Sequence, residues 1–250
     1  MISIFRKLRK DLIESNKTKR YIKYGIGEIL LVVIGILIAL QVNNWNENRK
    51  SEKRKTALLY ALKSEFELNL VQLDSVLLYD KKVIESSYKA LKLQPTDPLL
   101  QNRDSMRWLI QNTSWIWTFD PQNGALRSGM SSGDINLIEN DTLVNMLFSW
   151  QDLVADAKEN EDRTLMTRLE AKPVIGAYVR NVDYRGTESK ILGESKFESD
   201  YIGLINDPLF EDYISDRLTR TSEAVKELGM VRKYNLQIIK MVDEELRSGN

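Results

Sequence analysis

Neither cysteine nor histidine occurs in this chain of 250 residues. Without cysteine there is no disulfide framework and no thiolate metal site. Without histidine there is no Ser-His or Cys-His pair, no imidazole metal ligand, and no side chain that ordinarily titrates near neutrality. Only five prolines are present, and Pro95, Pro98, Pro121, Pro173 and Pro208 each fall where a boundary is expected, the pattern of a helical protein punctuated by loops. No convincing strand, internal repeat or low-complexity segment is visible.

Net charge is missing too, because 36 Lys and Arg balance 36 Asp and Glu. The balance hides an asymmetry. Residues 1–23 carry Arg6, Lys7, Arg9, Lys10, Lys17, Lys19, Arg20 and Lys23 against Asp11 and Glu14, a net of +6 that leaves −6 for the remainder. An acidic body lacks the clustered positive charge that binds phosphate, so no nucleic-acid partner is expected. A short basic tail beside an apolar run instead orients a helix in a lipid bilayer.

That run is "YGIGEILLVVIGILIALQVNNW", Tyr24 to Trp45. Twelve of the residues from Ile26 to Val42 are Ile, Leu or Val, and Glu28 is the one charge. As a helix the 22 residues span about 33 Å, enough for a hydrocarbon core of about 30 Å. Insertion is worth about −4 to −7 kcal/mol for the twelve, more than the roughly 2.5–3.5 kcal/mol that a charge such as Glu28 costs even at mid-bilayer. Tyr21, Tyr24 and Trp45 suit the two interfaces. A buried core helix and a cleavable signal peptide compete with this anchor reading. The first is rarely apolar all round, and "IALQVNNWNE" offers no small-x-small cleavage site for the second.

Eight basic residues precede the span, and five follow it within residues 46–60 (Arg49, Lys50, Lys53, Arg54, Lys55). The positive-inside rule then places the N-terminus in the cytoplasm and exports the body across an inner (plasma) membrane. Gly27, Gly35 and Ala39 lie on one face of the span with Leu31, the small-xxx-small spacing that lets two membrane helices pair as a homodimer. Glu28 lies beside them, and an acidic residue at that depth calls for a partner or a function.

Beyond the span the periodicity predicts an all-α fold, an elongated helical bundle at 46–250 after a tail at 1–23 and a transmembrane helix at 24–45. A long helix is expected at about 46–93, with Leu58, Leu62, Phe66, Leu70, Leu73, Leu77, Ile84, Tyr88 and Leu91 as its stripe,. Further helices are expected at about 99–112, 141–182 and 208–247. The last starts at Asp207-Pro208, a cap residue followed by proline at the first helical position,. Its stripe is Phe210, Ile214, Leu218, Val225, Leu228, Ile239, Val242 and Leu246, and Gly229 is a weak point worth about 1 kcal/mol against alanine,. "YRGTESKILGESKFESD" reads as a long loop.

Three stretches invite a chemical reading. "GALRSGMS", Gly124 to Ser131, has the glycine and serine spacing of a phosphate-binding loop but carries Met130 where the lysine belongs,. A helix-ending loop around Gly129 to Asp134 is the plainer reading. Asp152, Asp156 and Glu159 share one face of the third helix, where they either do acid/base or cation work or simply face water. Trp108, Trp115 and Trp117, in "WLIQNTSWIWTF", could with Trp150 line an apolar ligand or interaction surface, or fill the core where helices meet loops.

At "YGIGEILLVVIGILIALQVNNWNE", Tyr24 to Glu47, the sequence resembles a bacterial family known as domain of unknown function 6090, whose members have a basic tail, one membrane helix with this Gly-Glu…Gly-x-x-x-Ala pattern, and a helical body. "ALRSGMSSGDINLIENDTLVNML", Ala125 to Leu147, is similar to the family's second segment. The resemblance implies membrane anchoring and attaches no activity. No catalytic, cofactor or metal site is expected. The expected function is a non-enzymatic interaction or sensing module with an unidentified protein partner. A structural subunit of a membrane complex and a carboxylate- or metal-dependent enzyme are the alternatives.

Overall fold

The computed structural model describes residues 18–185, 193 and 195–248. Most of the basic tail falls outside them, as does the middle of the expected loop after Tyr184. Among the described residues there are helices and turns and no strand. The helices are α1 (Thr18–Lys92), α2 (Arg103–Ser114), α3 (Gly124–Ser132), α4 (Asp141–Tyr178), α5 (Asn181–Tyr184), α6 (Tyr201–Ile205) and α7 (Pro208–Ser248). The chain divides into two units, Met1–Lys55 and Thr56–Asn250, with the division inside α1.

In the first unit the apolar run is helical, and every residue from Ile29 to Val42 is exposed. It is the one described helix long and apolar enough to cross a membrane, and none of its apolar window is buried by protein.

The second unit is a bundle in which the helices bury one another. Its buried positions on α1 advance by alternating steps of three and four: Leu59, Leu62, Phe66, Asn69, Leu73, Val76, Asp80, Val83, Ser87 and Ala90. Helix α7 repeats the pattern through Phe210, Ile214, Arg217, Thr221, Ala224, Leu228, Val231, Asn235, Ile238 and Val242. Steps of three and four make the 3.5-residue seam of helices packed side by side. The seam on α1 lies beside the stripe expected from apolar residues alone. Leu62, Phe66 and Leu73 belong to both, whereas Leu58, Leu70, Leu77, Ile84 and Leu91 are half-buried and Tyr88 is exposed.

The core has two apolar parts. One joins Leu59 to Val76 of α1, the Phe119–Ile138 segment, the first half of α4 and the second half of α7. The other joins the end of α1, α2, the end of α4, α6 and the start of α7. Helix α4 therefore runs from the first core to the second beside α1, and α7 returns antiparallel to it. Between the two cores lies a layer of buried polar side chains: Asp80 and Ser87, Thr113, Glu161, Thr164 and Thr167, Arg217 and Thr221.

Several expected boundaries move. The helix expected at 99–112 starts at Arg103, because Asn102 is a cap whose Oδ1 accepts the Ser105 N–H at 2.9 Å. Pro98–Gln101 before it is a 3₁₀ turn capped by Asp97. Pro173 marks no boundary and lies inside α4. It withdraws only the N–H that would bond the Leu169 carbonyl, on a residue that faces water,. The helix expected to reach 182 stops at Tyr178, and Asn181–Tyr184 is a separate turn of helix. "GALRSGMS" is α3 rather than a loop. It ends where Gly133 adopts φ 77°, the left-handed conformation that favours glycine,.

Candidate functional site

The segment from Trp115 to Asn123 joins α2 to α3 without regular structure, yet it packs against the bundle. A buried non-helical backbone must find partners for its N–H and C=O groups, and the polar residues of the seam supply them. Asn69 donates to the Gln122 carbonyl at 2.9 Å and accepts the Gln122 N–H at 2.8 Å. Glu161 accepts the Phe119 N–H at 2.9 Å. Glu65 accepts the N–H groups of Ala125 at 2.7 Å and Leu126 at 3.0 Å, placing a carboxylate at the positive end of α3. Arg217, 1% exposed, donates to the carbonyls of Thr113, Thr164 and Trp115. Four buried polar side chains thus hold the connecting segment and the start of α3 in place.

The same layer carries perturbed titrating groups. Burial pushes the Asp80 carboxyl up to about 6, against an opposing pull from Arg217. Burial pushes Glu161 up to about 7, opposed by the Phe119 N–H and reinforced by the charge of Asp80. Arg217 is lowered by the same burial, though an arginine so placed stays charged,. Because both carboxyls have raised folded-state values, the folded chain holds more protons than the unfolded one across mildly acid to neutral pH. Their contribution to stability is complete below the ordinary carboxylate range and is lost as pH rises through 6 and 7. Glu161→Gln keeps an acceptor for the Phe119 N–H and removes the titration. Its stability should therefore fall by about 2 kcal/mol less than that of the wild type between pH 5 and pH 8. Urea unfolding of the full-length protein in non-ionic micelles at the two pH values measures the difference, and parallel losses in both proteins would contradict it.

Beside this layer a cleft of about 520 Å³ opens between the end of α2, the Trp115–Trp117 loop, α4 and α5. Trp115 and Trp117 line it and lie nearly parallel, with ring centroids 5.9 Å apart. Tyr79 of α1 stacks on Trp117 at 4.2 Å, with 6° between the planes, and lies 5.7 Å from Trp115. Arg168, Lys172 and Arg185 supply cations to the lining, and among the described residues no Asp or Glu lies in it. Burial raises the Tyr184 phenol, so that group adds no negative charge.

The four tryptophans singled out in the sequence do not share one surface. Trp115 and Trp117 meet at the cleft. Trp150 is fully buried in the first core, its ring edge-on to Phe66 and its Nε1 donating to Asn123 Oδ1 at 3.0 Å. Trp108 is 60% exposed and lines no part of the cleft. Asp152, Asp156 and Glu159 are all exposed. Among the described residues no group of three or more acidic side chains is placed to hold a metal ion. Gly27, Glu28, Gly35 and Ala39 lie on the exposed part of α1, with nothing near the position of a Cβ at either glycine.

Sequence reasoning missed Gln111, Arg168, Lys172, Arg217 and Glu161. The last two had a signal in the heptad spacing, once polar residues are admitted to the seam. The cleft residues had none, since α2, α4 and α5 meet only through tertiary packing. No curated protein and no solved structure matches the chain. Residues 28–149, from the apolar run through the connecting segment and into α4, match the model of the family of unknown function DUF6090, the family that the sequence resembles.

Proposed function

We propose that this protein is a single-pass, membrane-anchored binding module whose exported helical body senses or binds a partner and carries out no reaction of its own. One observation supports the anchor above the others. The apolar run is helical and wholly uncovered by protein, which is untenable in water for so large a continuous patch and natural in lipid. This is the opposite of a buried core helix. The body offers a cleft with stacked aromatics and cations, while the raised carboxyl of Glu161 is occupied in holding the Phe119 N–H.

The absence of cysteine makes the topology directly testable. Ser131→Cys, on an exposed position of α3, and separately Ser15→Cys in the tail are treated in spheroplasts with a membrane-impermeant maleimide. Labelling of the Ser131→Cys protein alone is the expected result. Labelling of Ser15→Cys alone would reverse the orientation, and labelling of a protein released by carbonate extraction would remove the anchor.

A further inference from the structure

The cleft beside the Trp115–Trp117 loop gathers cationic and amide donors. Arg168 and Lys172 stand one helical turn apart on α4, both line the cleft, and neither forms an ion pair with any described residue. Gln111 is 9% exposed and lines the same cleft. Its Nε2 makes no hydrogen bond to any described residue and is the donor it can offer, while its sealed Oε1 is an acceptor that an anion leaves as it is. Arg185, held by a bond to Asn181 Oδ1 at 3.2 Å, adds a third cation. Deeper in the molecule Asp80 offsets Arg217, and among the described residues no carboxylate lines the cleft. The rest of the lining includes Trp115, Ile116 and Ile175.

We infer that the cleft binds a small organic anion, a carboxylate or phosphate monoester carried on an apolar ring or short chain. The anionic group sits between Arg168, Lys172 and the Gln111 amide, and the apolar part lies against Trp115 and Ile175. Arg168, Lys172 and an N–H donor around apolar walls select a ligand with both features, since a neutral apolar molecule leaves the donors without an acceptor and an inorganic anion leaves the walls uncovered. This inference rests on the reading of the body as a binding module and does not depend on the side of the membrane it occupies.

The test uses full-length protein in non-ionic micelles, titrated calorimetrically with 2-naphthoate and with its neutral isostere 2-naphthamide. The acid is expected to bind at least about tenfold more tightly than the amide. Replacing both exposed cations (Arg168→Gln with Lys172→Gln) should weaken the acid about tenfold and leave the amide unchanged. Gln111→Met should weaken the acid about threefold to tenfold, with its unfolding midpoint measured in parallel to show an intact fold. Equal binding of acid and amide, indifference of the acid to the double substitution, or no binding of the acid would each overturn the inference. Equal binding would still leave a binding module, so failure of the ligand class is separable from failure of the proposed function. Conversion of the probe to a product would instead overturn the non-enzymatic reading on which the inference rests.

Discussion

Arg217→Met is expected to destabilise the body by about 3–5 kcal/mol, the range for removing one partner of a buried charged network. The guanidinium is 1% exposed, and its three nitrogens reach carbonyls on two different parts of the chain, Thr113 and Trp115 at the end of α2 and Thr164 on α4. Methionine fills most of the volume but donates nothing, so three buried acceptors lose a charged donor and Asp80 loses its compensating charge,. Arg217→Lys should rescue little, because one ammonium on a flexible stem cannot span positions that a planar fork reaches at once. Urea unfolding of the full-length protein in micelles, followed by tryptophan emission, gives the difference. A loss below about 1 kcal/mol for the methionine variant would mean that water takes over the three carbonyls, and the layer would then be wetter than its burial implies.

The second large effect belongs to Trp150. Trp150→Ala should cost about 3–5 kcal/mol, the usual range for emptying a fully buried aromatic site. The indole meets Phe66 edge-on at 4.9 Å and Phe119 at 6.3 Å, and its Nε1–H occupies Asn123 Oδ1. Trp150→Phe should cost less, chiefly the lost hydrogen bond at about 1 kcal/mol and a partial cavity. Either loss is large against a domain stability of about 5–15 kcal/mol. Binding of 2-naphthoate by the folded phenylalanine variant should be unchanged, since Trp150 lies in the first core and not at the cleft. A weakened affinity there would mean that the core and the cleft are coupled through the Trp115–Asn123 segment.

Both residues show how far the sequence could be read. Trp150 stood out by type, and it falls within the helix expected at about 141–182. Its neighbours were not expected, because the segment that brings Phe119 and Asn123 to it has no periodicity to read. Arg217 did not stand out at all. An arginine on a helix between Ile214 and Thr221 is ordinarily a solvated residue, and only the carbonyls of a distant irregular segment make its burial tolerable. The expected stripe on α1 shifts as well. Apolar counting selects Leu77, Ile84 and Leu91, whereas the buried line runs through Val76, Asp80, Val83 and Ser87, a seam that admits polar side chains.

What the sequence determined by itself was whatever depends on short-range pattern. The all-α class, the length and apolar character of the Tyr24–Trp45 run, the start of the last helix at Asp207-Pro208 and the lack of thiol and imidazole chemistry follow from local spacing, capping and composition. What the tertiary structure alone decided was which polar residues go inside and what they hold: the layer between the two cores, the pinned Trp115–Asn123 segment, and a cleft whose cations come from α4 and from the residue after α5 and whose amide comes from α2. The physical reason is that helix periodicity is written within eight or ten neighbouring residues. The partner of a buried polar group is set by where the rest of the chain returns, about 50 to 100 residues away in these bonds.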